Sequence, residues 1–192
     1  MNNAFTHESY LVRKKILTLA GAKFHIYDPQ GKLVFFSKLK AFKLKENIRL
    51  FTDEEMQTEL LNIQARNIID IAATYDVIDP ESGDKVGALR RKGLKSILKD
   101  EWIILDVNDN EIGLIKEDST FLALLRRFLT NLIPQTYFGE IGGRKICKFK
   151  QNFNPFVTKI TLDFSGDKEH QLDRRLGIAA AVLLCAIEGK QG

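Results

Sequence analysis

The side chains able to do chemistry are few and scattered. His7, His25 and His170 lie far apart, with none of the short spacings that bring two imidazoles to one metal. Cys147, with Phe149, reads as a small core residue on a strand, and Cys185 lies inside an uncharged run, where burial raises a thiol pKa and makes it inert. Asp106, Asn108, Asn110 and Glu117 match positions one, three, five and twelve of a calcium loop. Position six is Glu111 where that loop needs glycine, and β-prone segments flank it, so a hairpin turn is expected instead. Gly139, Gly142 and Gly143 do not form a phosphate-cradling loop. No catalytic residue, metal ligand or cofactor site follows, and the chain reads as a protein that is not an enzyme.

The strongest functional pattern is cationic. Lys38, Lys40, Lys43 and Lys45 form one cluster, and Arg90, Arg91, Lys92 and Lys95 form a second. A third comprises Arg144, Lys145, Lys148 and Lys150. The first two are the candidate anion-binding residues. Ammonium and guanidinium groups near an anionic membrane contribute roughly 1 kcal/mol each. The competing reading is an ordinary solvated strand face whose lysines discourage edge pairing. Nucleic acid is disfavoured, because neither a recognition helix nor an aromatic RNA-binding strand is evident.

The elements that must position these groups follow from composition and pattern. The 192 residues carry 29 Lys+Arg against 25 Asp+Glu and are 44% hydrophobic, which excludes global disorder and suits one domain with a sizeable core. Two cysteines argue against a disulfide scaffold. No secretory signal is visible at MNNAFTHESY, so a cytoplasmic protein is expected, with peripheral membrane contact through its basic surface.

A hairpin recurs along the first two thirds. Phe24-His25-Ile26-Tyr27-Asp28 is echoed by Tyr75-Asp76-Val77-Ile78-Asp79 and Trp102-Ile103-Ile104-Leu105-Asp106, with a weaker copy from Arg49 to Asp53. The anchors at 24, 49, 75 and 102 are spaced by 25, 26 and 27 residues. A repeated hairpin implies a meander in which each unit needs its neighbours to bury one face. About twelve strands are expected, at 10–19, 23–28, 32–38, 44–51, 59–65, 73–78, 85–91, 101–107, 111–117, 136–140, 144–150 and 156–164. A helix from Ser119 through Leu132 precedes Pro134 and is expected to pack on the barrel rather than lie in a membrane.

The segment from Leu176 to Ile187 has no charge over twelve residues and no polar face. Such a helix must be buried on every side, yet it falls short of the roughly 20 residues that span a bilayer. The solution is a helix enclosed by the sheet: a mainly β fold, an antiparallel barrel of about twelve strands around a hydrophobic C-terminal helix. Residues 10–188 form this single domain, with flexible ends at 1–9 and 189–192.

That plan resembles the tubby C-terminal-like superfamily, which includes phospholipid scramblases, and most of all its LURP-one-related group. The residues carrying the likeness are Lys14-Lys15-Ile16-Leu17-Thr18-Leu19 with Phe24 to Asp28, the turn at Gly31, Lys95-Ser96-Ile97-Leu98 before Trp102, and Asp173-Arg174-Arg175-Leu176. The proline-rich region, cysteine cluster and acidic calcium segment of scramblases are absent; the stretch from Asp163 to Asp173 mixes its acids with Lys168 and His170. Scramblase activity is therefore not implied, and no head-group residue of tubby proteins carries over. The resemblance implies a non-enzymatic binding or scaffold domain, contacting anionic phospholipid or phosphoinositide head groups through an exterior basic surface. The alternative is a protein–protein interaction module with no lipid role. The oligomeric state is not legible from the sequence.

Overall fold

Alternating apolar residues make the strands, and short aspartate-led turns join them in pairs. The computed structural model describes residues 2–16, 21–39, 47–66, 73–92, 101–118, 135–152 and 157–187. Its strands are β1 (Ser9–Ile16), β2 (Ala22–Tyr27), β3 (Leu33–Leu39), β4 (Asn47–Phe51), β5 (Glu59–Ala65), β6 (Thr74–Ile78), β7 (Lys85–Arg91), β8 (Glu101–Leu105), β9 (Glu111–Glu117), β10 (Thr136–Ile141), β11 (Arg144–Asn152) and β12 (Val157–Asp163). They close into an antiparallel barrel of twelve strands, each paired with its sequence neighbours and β12 with β1. The expected helix at 119–132 lies outside the described residues, as does 189–192.

The hairpin repeat has a structural counterpart. Asp28, Asp53, Asp79 and Asp106 each close their turn by accepting a main-chain N–H two residues on, with Asp28 and Asp106 accepting a second from four residues on. Each of these hairpins also carries a bulge at the same place, between Ile26 and Tyr27, Leu50 and Phe51, Val77 and Ile78, and Ile104 and Leu105. The inward anchors are Phe24, Ile48, Tyr75 and Trp102. Arg49, the anchor expected from sequence, instead faces out and pairs with Glu59 at 3.2 Å.

The axial element is α1 (Arg174–Ile187), packed against β12, β1, β6 and β7. Asp173 caps it, accepting from the N–H of Arg175 at 2.9 Å. From Ile178 to Ala186 no residue is more than 3% exposed, so the helix is surrounded, as its missing polar face requires. Close approach depends on Gly177, where a methyl group would sit 2.4 Å from the Phe164 ring.

Near the amino end, Phe5 is buried against Phe35 with ring centroids 5.0 Å apart, and Tyr10 Oη donates to the carbonyl of Ala4 at 2.9 Å. An aromatic side chain repays the ordering of this short segment with buried area.

Candidate anion-binding surface

Because adjacent strands run opposite ways, the aspartate turns gather at the end where α1 begins. The carboxyl ends of β1, β3, β5, β7, β9 and β11 gather at the other. Both ends of the helix are held by buried charge. At its start, Asp167 and Arg174 form an ion pair at 2.9 Å, and Arg174 stacks over Phe164 at 4.2 Å. At its finish, Lys14 projects inward from β1 and donates from Nζ to the carbonyl oxygens of Cys185 and Ala186.

The expected chemical groups are tied into packing. Cys147 and Cys185 are buried, and desolvation pushes both thiols up to about 12. His25 bridges to Glu54 at 3.1 Å, His170 meets Arg174 at 3.2 Å, and His7 packs edge-on against Tyr10. Asp106 closes its hairpin, its two oxygens taken by Asn108 and Asn110, while Glu117 lies at the far end of β9. Among the described residues no cluster of three metal-ligating side chains occurs. A cleft of about 100 Å³ beside the helix start is lined by Phe5, Glu59, Asp79 and Arg175 among others, well below the roughly 300 Å³ of a small-molecule site. Of its acids, Asp79 pairs with Arg175 at 2.8 Å and Glu59 with Arg49 at 3.2 Å, while Glu81 is exposed.

The predicted basic residues separate in space. Lys40, Lys43, Lys45 and Lys95 lie outside the described residues. Lys38 and the group Arg90–Lys92 do share a barrel end, but β4, β5 and β6 stand between their strands, roughly 19 Å around the wall at about 4.8 Å per strand. Arg90 pairs with Glu111, and Lys92 with Glu101 at 2.9 Å. Arg91 is the exception to the exterior reading. It stands opposite Trp102 in the inward register of Leu89, because neighbours on a strand face opposite sides.

Lys38 has different company. It is exposed and stands directly opposite Lys23, which in turn stands opposite Lys15 on β1. One step along the strands, Arg13 is directly opposite Lys159. Among the described residues, only Lys23 of these five makes an ion pair, with Glu54 at 3.2 Å, and it also lies over the Phe36 ring. Arg13, Lys15 and Lys159 were not singled out from the sequence. Their signal was a cation at every second residue, Arg13 and Lys15, on a strand whose intervening residues Val12 and Lys14 are buried.

A closed antiparallel barrel of twelve strands threaded by an axial helix, with cations on its outer wall, defines the class: a tubby-like barrel domain. The family model for LURP-one-related proteins matches residues 8–131, and the chain belongs to the LURP-one-related family. A crystal structure of an Arabidopsis thaliana protein shares the fold, with a TM-score of 0.53 over 98% of this chain and 97% of that one at 10% identity. No curated protein matches the sequence significantly. Among the described residues, no helix is long and apolar enough to cross a membrane.

Proposed function

We propose that this is a non-enzymatic binding domain whose exterior contacts anionic phospholipid head groups, associating peripherally with a membrane. The observation that carries the reading is the occupied interior: α1 and the inward side chains fill the barrel, so recognition falls to the outer wall, and that wall carries solvent-facing cations. The inert thiols and the engaged histidines support a role without chemistry. The candidates Lys38, Lys40, Lys43, Lys45, Arg90, Lys92 and Lys95 belong to this reading, with Arg91 set apart by its inward register.

The matched pairs Arg90–Glu111, Lys92–Glu101 and Lys116–Glu140 give the β7–β10 side a mixed-charge surface. That side favours the second reading, a contact site for another protein, since mixed charge gives specificity between proteins without drawing in a polyanion.

Co-sedimentation with vesicles tests the first reading. Vesicles of neutral phosphatidylcholine should leave the protein in solution, and vesicles containing phosphatidylserine or a phosphoinositide should recruit it, less so as salt rises. Equal recruitment to neutral and anionic vesicles at moderate salt would overturn it.

A further inference from the structure

The row Lys15–Lys23–Lys38 runs across β1, β2 and β3, each lysine directly opposite the next. Beside it runs the pair Arg13–Lys159 on β1 and β12. Directly opposed like charges on one sheet face destabilise the fold. A protein would relieve such repulsion by interleaving acids, as this one does on the other side of the barrel, where Arg66 and Lys85 share Asp76 and Asp109. On the β12–β1–β2–β3 face the sole carboxylate in ion-pair contact with these five cations, among the described residues, is Glu54. Arg13, Lys15 and Lys38 are exposed and, among the described residues, make no ion pair.

We infer that this face is a docking surface for a membrane bearing anionic phospholipids, and that it reads surface charge density rather than the identity of a head group. The inference rests on the lipid reading above and moves its centre from the β7 end to the β12–β1–β2–β3 wall. Three features choose the partner. The cations form a grid about 4.8 Å apart across strands and roughly 6.7 Å apart along them, spread over the convex outside of a barrel. A convex grid has no concavity to enclose one inositol phosphate, whereas a sheet of mobile anionic lipids conforms to it. The aromatic groups of the same face are tied down: Phe36 is wholly buried beneath His25, at 5.1 Å between centroids, and His25 stacks on Tyr27 at 6.3 Å. Single-stranded nucleic acid uses a succession of open rings, whereas the partly exposed rings described here, His25 and Tyr27, are stacked on each other.

Two variants with the same change in net charge separate position from total charge. The first is Arg13→Gln with Lys15→Gln and Lys38→Gln. The second, on the opposite side, is Arg66→Gln with Lys85→Gln and Lys116→Gln, three cations outside the candidate anion-binding set. Partitioning is measured on phosphatidylcholine vesicles carrying increasing phosphatidylserine, and on phosphoinositide vesicles matched for charge, at low and high salt. Each cation near the surface is worth about fivefold in partitioning. The first variant should therefore bind more than tenfold more weakly, the second within about threefold of the parent, and charge-matched vesicles should bind the parent alike.

As a measurement free of any folding defect, acetylation of the parent protein should show Lys15 and Lys38 protected by bound phosphatidylserine vesicles and Lys116 unprotected. Equal losses in both variants, a selective loss in the second, or a marked preference for phosphoinositide at matched charge would overturn the inference and leave the lipid reading standing. No recruitment of the parent to any anionic vesicle would overturn both. Capture by a single-stranded oligonucleotide without vesicle binding would reassign the face to nucleic acid.

Discussion

Lys14 Nζ donates to the carbonyl oxygen of Cys185 at 2.9 Å, joining the first strand to the last helix across 171 residues of sequence. The same ammonium reaches Ala186 at 3.3 Å. The final carbonyls of a helix have no partner within it and carry the negative end of its dipole, so a buried cation there satisfies both a hydrogen-bonding and an electrostatic need. A lysine 1% exposed inside an apolar barrel is tolerable because those carbonyls receive its protons.

Lys14→Met keeps the length of the side chain and removes its charge. Charge-assisted hydrogen bonds to buried groups are worth about 2–3 kcal/mol, so the variant should lose that much stability. For a chain of this size the midpoint of thermal unfolding should fall by roughly 4–12 °C. Lys15→Met, one residue on and exposed, should move it by less than about 2 °C. Equal midpoints for the two would mean that Lys14 does not hold the helix end.

Asp167 is buried and holds Arg174 at 2.9 Å while accepting the N–H groups of Gln171 and Leu172. Asp167→Asn leaves a guanidinium without its counter-ion beside Phe164, at a cost of about 3–5 kcal/mol. Adding Arg174→Met should recover part of that loss, since the unpaired charge is then gone. Chemical denaturation of the single and double variants checks both, and a double variant weaker than the single one would contradict the account.

The thiols give a pH-dependent signature. Burial raises Cys147 and Cys185 from an ordinary value near 9 to about 12 in the folded protein. Folded thiols therefore stay protonated, and their contribution to stability is complete below about pH 8.5 and is lost as pH rises toward 12. At pH 8 neither should react with an alkylating reagent until denaturant is added, when both should. Rapid labelling of the native protein would show that the barrel admits reagent.

Asp109 stands at a left-handed turn position and is held by hydrogen bonds from Arg66 and Lys85, which lower its pKa to about 2. A lowered carboxylate favours the folded state above its ordinary range and loses that advantage as pH falls toward 2. Carboxyl chemical shifts followed during acidification should show Asp109 among the last acids to protonate. Lys85→Met should move its midpoint upward, although Arg66 keeps it below the ordinary carboxylate range.

Local pattern determined much of this protein. The aspartate-led turns, the recurring hairpin and the twelve strands are written in alternation and turn chemistry, which act over a few residues. The uncharged run from Leu176 to Ile187 required enclosure, and the repeat supplied a sheet to enclose it. In the second repeat the pattern was one residue off, because Ile48 and not Arg49 carries the inward register, and a slip of one exchanges the two faces of a strand.

Tertiary structure decided which charges face water together. Arg13-Lys14-Lys15 is one basic run in sequence, but the pleat sends Lys14 to the helix end and its neighbours to solvent. Arg90 and Arg91 are divided in the same way. Conversely, Lys15, Lys23 and Lys38 are eight and fifteen residues apart, and only the register of three strands sets them in a row. A charge cluster is a property of a surface, and on a closed barrel the surface is assembled by cross-strand pairing, which no local stretch of sequence contains.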